Sequence, residues 1–211
     1  MILLFDTSGK DLHCGLYDPI SGSINQEFHY IASASERGVH DTMLASSVDT
    51  LLQNERLSVK DIQRIGFING PGSFTGLRIG LAFAKGLAYG SGCEIAPVLA
   101  HQWLAACARK QYPDLAFAAV LTAGYEPSSV YYASAEKTSH ISLRKKSELR
   151  SQEVAVAFEI LPAIELPSTI VSIDLAVLGE LTIIAEAKDL TTLDPFYGTD
   201  FKPHPGSKKT N

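Results

Sequence analysis

Ile65-Gly66-Phe67-Ile68-Asn69-Gly70-Pro71-Gly72-Ser73-Phe74-Thr75-Gly76-Leu77-Arg78-Ile79-Gly80 holds the change of period on which the fold turns. Ile65–Ile68 is a short apolar run with the length of a buried strand, and the glycine-proline cluster after it punctuates a turn. From about Leu77 to Tyr89 the apolar residues recur at helical spacing, and Gly90 and Gly92 offer left-handed caps. Ser73 or Thr75 can cap the first turn through its hydroxyl. Strand, tight turn and helix in this order belong to an α/β protein.

The turn fails three catalytic tests of spacing. A Walker A loop needs GxxxxGK[ST], and Gly76 is followed by Leu77 and Arg78. A nucleophile elbow needs GxSxG, and Pro71 and Thr75 stand where its glycines belong. A dinucleotide fingerprint needs a third glycine at Thr75. A structural turn with capped amides is the better reading, with an anion on free N–H groups as its alternative.

Working outward toward the N-terminus, Ile2–Phe5 reads as a buried strand and Asp6-Thr7-Ser8-Gly9-Lys10 as a turn. Leu12, Cys14 and Leu16 alternate with polar or small neighbours, and Ile24–Tyr30 returns as a third strand. Leu44, Val48, Leu51 and Leu52 mark a helix over 41–54, with Asp41 or Thr42 as its N-cap. Toward the C-terminus, Glu94–Val98 is a strand and His101–Gln111 a helix with Trp103, Leu104 and Cys107 inward. Further strands are expected at Phe117–Leu121, Val130–Ala135 and Thr169–Ile173, with a turn at Gly124–Ser129. Asp174 is read as the cap of a helix reaching about Ala187. The order βββ-α-β-α-β-α describes a mixed sheet with helices on its faces. Residues 1–100 form a first lobe, 101–200 a smaller second lobe and 201–211 a flexible tail.

The helix after the turn carries Leu77, Ile79, Leu81, Phe83, Leu87 and Tyr89 around its circumference, with Arg78 and Lys85 its only charges. A helix apolar all round must be covered all round. Gly80, Ala84 and Ala88 recur every fourth residue and form a small-residue face that lets another helix approach; the cover is read as a second molecule, with burial between the sheet and the neighbouring helix of the same chain as the alternative. Charged residues make up 19% of the chain, below the roughly 25% of ordinary soluble proteins, which also fits a surface partly covered by another protein.

A formal net charge of -5 with no basic stripe argues against autonomous nucleic-acid binding. Cys14, Cys93 and Cys107 have neither disulfide-framework nor zinc spacing, and His13, His29, His40, His101, His140 and His204 contain no HxxxH or HExxH pair. No metal is therefore expected. The apolar start Met1–Phe5 stops at Asp6, without a basic leader and too short to span a bilayer, so a cytoplasmic location with no membrane contact is expected.

GPGSFTGLRIG after a strand, an N-terminal FDTS and a helix near Val39-His40 closely resemble the TsaB family, also called YeaZ. The resemblance is good from Met1 to about Trp103. It implies an actin-like/Hsp70-like ATPase fold of two ribonuclease-H-like lobes, the second reduced. It also implies the non-catalytic partner of TsaD in bacterial tRNA threonylcarbamoyladenosine synthesis, a homodimer when isolated, with a TsaE-like ATPase as a further partner. Paired first-lobe helices would form the interface, which is set on His40, Leu44, Val48, Gly76, Arg78, Gly80, Phe83, Ala84 and Leu87. Asp6, Thr7 and Ser8 stand where nucleotide-binding members of the fold place a phosphate loop. With Gly124 alone in the second lobe they read as a degenerate site, so no cofactor is expected and a nucleotide only at an interface with another subunit. The alternative is a small-molecule kinase or ATPase of the same fold. Two departures stand out. Leu121-Thr122-Ala123-Gly124-Tyr125-Glu126-Pro127-Ser128-Ser129-Val130-Tyr131 lacks the family's DARxGEVY-like hairpin, and Pro195-Phe196-Tyr197-Gly198-Thr199 keeps the Pro and Tyr of a PxYLR-like element but not its Arg.

Overall fold

The computed structural model describes residues 1–33, 39–123, 129–149, 154–159 and 167–198. Strands β1 (Ile2–Asp6), β2 (Leu12–Asp18) and β3 (Ser23–Tyr30) form an antiparallel meander, with Phe5 opposite Cys14 and Cys14 opposite Phe28. All of β1 is buried, as a central strand covered on both faces must be, whereas edge strand β3 alternates half-buried and exposed residues. Helix α1 (Val39–Asn54) leads to β4 (Arg64–Ile68), parallel to β1, and helix α2 (Phe74–Ser91) to β5 (Glu94–Val98), parallel to β4. The sheet order is β3-β2-β1-β4-β5. Because α1 begins at Val39, Asp41 lies in its first turn and is not the N-cap; its charge still faces the positive end of the helix dipole.

Helix α3 (Ala100–Gln111) precedes β6 (Phe117–Thr122), β7 (Ser129–Ser134), β8 (Ser142–Lys145), β9 (Val154–Ala157) and β10 (Ser168–Ile170). They form a second sheet in the order β10-β9-β6-β7-β8. Here β7 and β8 extend β6 in antiparallel fashion while β9 and β10 extend it in parallel. Each sheet therefore repeats one rule: a three-strand meander whose first strand is extended on its free side by two parallel strands. These are the two ribonuclease-H-like lobes of an actin-like fold. Among the described residues the second lobe has no helix between β8 and β9 beyond one short turn, so it is the reduced one.

Helix α4 (Leu175–Ile184) ends the ordered core. Asp174 caps it as expected, its Oδ1 accepting the N–H of Ala176 at 2.9 Å and of Val177 at 3.3 Å. It stops three residues short of Ala187. Arg64 Nη1 donates to the carbonyls of Thr182 and Ile183 at 2.8 and 2.9 Å, placing a cation at the negative end of the helix. The strand expected at Thr169–Ile173 is only β10, and β8 and β9 were not read from the sequence. Most of the turn expected at Gly124–Ser129 and all of the 201–211 tail lie outside the described residues.

The elements stack in layers. Helices α1 and α2 cover one face of the first sheet, where Leu3, Phe5, Leu16 and Phe67 meet Leu44, Val48, Leu51 and Leu81. Helices α3 and α4 fill the space between the sheets, with Ile2, Leu4 and Tyr17 on one side, Phe117, Ala119 and Val156 on the other, and Trp103 and Leu178 between. Trp103 Nε1 donates to the Asp174 carbonyl at 2.9 Å and Lys110 pairs with the Asp174 carboxylate at 2.8 Å, joining the two helices. Although α4 follows the second lobe in the chain, it lies against the first sheet: a Cβ on Gly66 would collide with Thr182.

Candidate functional site

The two motifs that stand out in the sequence meet in space. Ser73 N–H donates to the Ser8 carbonyl at 2.6 Å, and the Thr7 hydroxyl to the Gly76 carbonyl at 2.8 Å. Ser73 is the N-cap of α2, its Oγ accepting from Gly76 N–H at 3.2 Å while its carbonyl accepts from Leu77 N–H at 2.8 Å. A Cβ on Gly76 would collide with the Thr7 carbonyl, and one on Gly80 would stand 2.5 Å from Thr7 Oγ1. The glycines of GPGSFTGLRIG therefore let α2 lie directly on the Asp6–Ser8 turn. Asp6 and Thr7 are buried, and the Asp6 carboxylate accepts the Ser8 N–H at 2.7 Å. The Thr7 hydroxyl, the Ser8 N–H and carbonyl and one Asp6 carboxylate oxygen are thus bonded within the protein.

A strap from the chain's far end closes over the clamp. Lys188 N–H joins it to the Ile95 carbonyl at 2.9 Å, Asn69 Nδ2 donates to the Asp194 carbonyl at 2.9 Å, and Phe196 N–H to the Asn69 carbonyl at 2.8 Å. Gly70 takes φ +123 under Phe196, where a side chain would have no room. Tyr197 stacks on Phe74 with centroids 5.1 Å apart, its hydroxyl accepts from Arg78 Nε at 3.0 Å, and its carbonyl accepts from the Tyr131 hydroxyl at 2.8 Å. Arg78 also lies over the Phe74 ring at 3.9 Å. The Pro-Tyr element thus ties the start of α2 to the second sheet. No sequence pattern links Tyr197 to these partners, which lie 66 to 123 residues away.

The expected partner residues divide. Leu44, Val48, Gly76, Gly80 and Ala84 are buried within their own lobe and cannot form its surface, Ala84 being 0% exposed. This corrects the assignment of the Gly80–Ala84–Ala88 face, whose small residues accommodate Thr7, Phe5 and the sheet. The outward face of α2 is offset by two residues and runs through Arg78, Ala82, Gly86 and Gly90, also at fourth-residue spacing; an added Cβ at Gly86 or Gly90 would meet open space. Tyr89, 88% exposed, stands beside them. The helix is therefore not covered on every side. Arg78 is exposed, Phe83 and Leu87 are half-buried, with Phe83 packing edge-on against Phe5 at 5.6 Å, and His40 Nε2 lies 3.1 Å from the Asp11 carbonyl. Helix α1 lies beside α2 and presents Asp41, Thr42, Ala45, Asp49 and Gln53 outward.

Two histidines that sequence spacing kept apart converge. His13 on β2 and His29 on β3 are register partners, their Nδ1 atoms 2.7 Å apart, and His29 Nε2 lies 3.2 Å from Glu27 Oε2. Burial lowers the pKa of His13, and the neighbouring His29 adds to this while Asp6, Asp11 and Glu27 oppose it. His101, 0% exposed at the start of α3, donates from Nε2 to the Tyr131 carbonyl at 3.2 Å; burial lowers its pKa to about 4. Among the described residues no group of three His, Cys, Asp or Glu is placed to hold a metal ion, and no helix is long and apolar enough to cross a membrane.

A family model described as TsaD, tRNA N6-adenosine threonylcarbamoyltransferase, matches residues 34–189. The tRNA threonylcarbamoyladenosine biosynthesis protein TsaB of Haemophilus influenzae is 36% identical over 59 residues, 28% of this chain and 25% of that one. TsaB of Escherichia coli is 32% identical over 90 residues, 43% of this chain and 36% of that one. The matched stretches thus span well under half of the curated relatives' lengths. The solved structure of YeaZ from Pseudomonas aeruginosa superposes with a TM-score of 0.73 at 19% identity, covering 93% of this chain and 98% of that one, a likeness of fold.

Proposed function

The chain belongs to the TsaB (YeaZ) family, within the wider family described by TsaD, and from that premise we propose that it is a non-catalytic docking subunit in bacterial tRNA threonylcarbamoyladenosine synthesis. It binds a TsaD-like catalytic subunit, which transfers threonylcarbamoyl to the adenosine beside the anticodon. The observation that carries this reading is the outward face of α1 and α2, where Ala82, Gly86 and Gly90 leave room for a partner helix beside Tyr89. Small residues at fourth-residue spacing permit close helix approach, and the aromatic ring supplies an anchor.

The non-catalytic part of the reading is supported by the clamp between Thr7, Ser8 and α2, which engages the Thr7 hydroxyl and the Ser8 backbone within the protein. A nucleotide would find its place only where another subunit completes the site. A TsaE-like ATPase is a further partner, and the isolated chain pairs with itself through the same face. The net charge of -5 supports weak intrinsic tRNA affinity, with the partner holding the RNA. A cytoplasmic location follows from the same role.

Co-expression with a TsaD-like subunit, followed by size-exclusion chromatography, tests the proposal. The two chains are expected to co-elute, and Ala82→Glu to separate them while the isolated variant melts like wild type. Wild-type chains that elute apart would overturn the docking role. Co-elution that survives both Ala82→Glu and Gly86→Glu would overturn the choice of face.

A further inference from the structure

We propose that His13 and His29 form a two-nitrogen site for a late first-row divalent cation such as Zn²⁺, on the sheet face that looks toward the second lobe. The two residues are directly opposite in an antiparallel pair, so their side chains share one face, and their Nδ1 atoms converge to 2.7 Å. Ile2, Leu4 and Tyr17, which alternate onto that same face, pack against α3 and α4.

The chemistry of the neighbours selects the ligating atoms. Glu27 Oε2 stands 3.2 Å from His29 Nε2, so that nitrogen carries the proton and donates it to the carboxylate. His29 Nδ1 is then the lone-pair nitrogen, aimed at His13. A carboxylate behind a ligating imidazole is the usual means of fixing its tautomer and raising its basicity. Asp6 is the register partner of His13 on β1, which places a carboxylate one cross-strand spacing from the pair. Its Oδ1 accepts the Ser8 N–H, so the carboxylate is held in place. Among the described residues no three such groups already meet at one point, so the cation takes two nitrogens from the protein and completes its shell with water.

Cation binding requires the two rings to part and to turn. Zinc–nitrogen bonds of about 2.0–2.1 Å in a tetrahedral shell set the nitrogens roughly 3.3–3.4 Å apart. The nitrogens must therefore part by well under 1 Å, and the rings must also turn, because lone pairs that face each other across a hydrogen bond have to converge on one cation at a tetrahedral angle. His29 lies on an edge strand with its side chain 37% exposed and can turn without disturbing the core. Helical spacing could not disclose this site because its halves lie 16 residues apart on neighbouring strands.

The test is titration of the full chain, free of any histidine tag, with ZnCl₂. Calorimetry measures stoichiometry and affinity, and imidazole NMR resonances report which rings respond. The expected result is one equivalent bound, with the His13 and His29 resonances shifting together. His29→Asn and His13→Asn are each expected to weaken binding at least tenfold, and His140→Asn, at an exposed loop position, to leave it unchanged. His29→Asn serves where the more buried His13→Asn fails to fold. The proposal is overturned if His29→Asn binds Zn²⁺ like wild type or if the responding rings are His140 or His204. Rings that respond to protons but not to Zn²⁺ also overturn it, leaving a shared proton as the pair's only content.

Discussion

Glutamate at Ala84 and glutamate at Ala82, two residues apart on one helix, are expected to have opposite effects. Ala84 is 0% exposed and belongs to the cluster of Phe5, Phe67, Leu81 and Ile95 under α2. A carboxylate there would be buried among these apolar side chains. An uncompensated buried charge, together with overpacking of a filled site, typically costs about 3–5 kcal/mol. Domains of this size lose roughly 2–4 °C of melting temperature per kcal/mol, so Ala84→Glu is expected to melt about 6–20 °C below wild type. Ala82 faces solvent, where a substitution is usually worth within about 0.5 kcal/mol, so Ala82→Glu should melt within about 2 °C of wild type. Thermal denaturation followed by circular dichroism, with both variants and wild type at one protein concentration, makes the comparison. Equal melting of Ala84→Glu and wild type, or a large loss in Ala82→Glu, would refute the assignment of inward and outward faces.

Gly76→Ala drives a methyl group into the Thr7 carbonyl and is expected to destabilise by about 1–3 kcal/mol, read by urea unfolding; wild-type stability would show that the clamp can open freely. His101 titrates near 4 when folded and near 6.5 when unfolded, so its contribution is complete above pH 6.5 and falls as pH drops toward 4, by about 3 kcal/mol in all; His101→Phe should flatten that part of the stability–pH curve. Tyr197→Ala removes the stacking on Phe74 and the bond from Arg78, and is expected to lower stability by about 2 kcal/mol, while Tyr197→Phe loses only the bond and about 1 kcal/mol. An equal loss in the two Tyr197 variants would show that the ring contributes nothing.

The first lobe was legible because its signals are local. Alternation in Leu12–Leu16, helical spacing from Leu44 to Leu52 and the glycine-proline turn each fix one element without reference to the rest of the chain. The second lobe was not. Ser142–Lys145 and Val154–Ala157 are four-residue strands, too short to show a period, and they are strands only because β7 and β6 pair with them. The face of α2 was read two residues out of phase because small residues recur every fourth position twice over, at 80, 84 and 88 and at 82, 86 and 90. Nothing in the spacing tells which series meets Thr7. Pairings across the fold, such as Tyr197 with Phe74 or His13 with His29, carry no sequence period at all and emerge only from register and topology.

The return of α4 to the first sheet sets an order of events during synthesis. The strands of that sheet are complete once Val98 has been made, yet Leu175, Val177 and Leu178, which cover the side holding Ile2, Leu4, Tyr17 and Ile68, arrive some 80 residues later. At roughly 5–20 residues per second, the ribosome leaves that apolar side open for about 4–16 s. Over this interval the nascent first lobe is a half-covered sheet, open to chaperones and to other nascent copies, and its last layer closes only once α4 has been made. A stop codon placed between residues 120 and 170 is therefore expected to yield insoluble product, although every strand of the first sheet would be present.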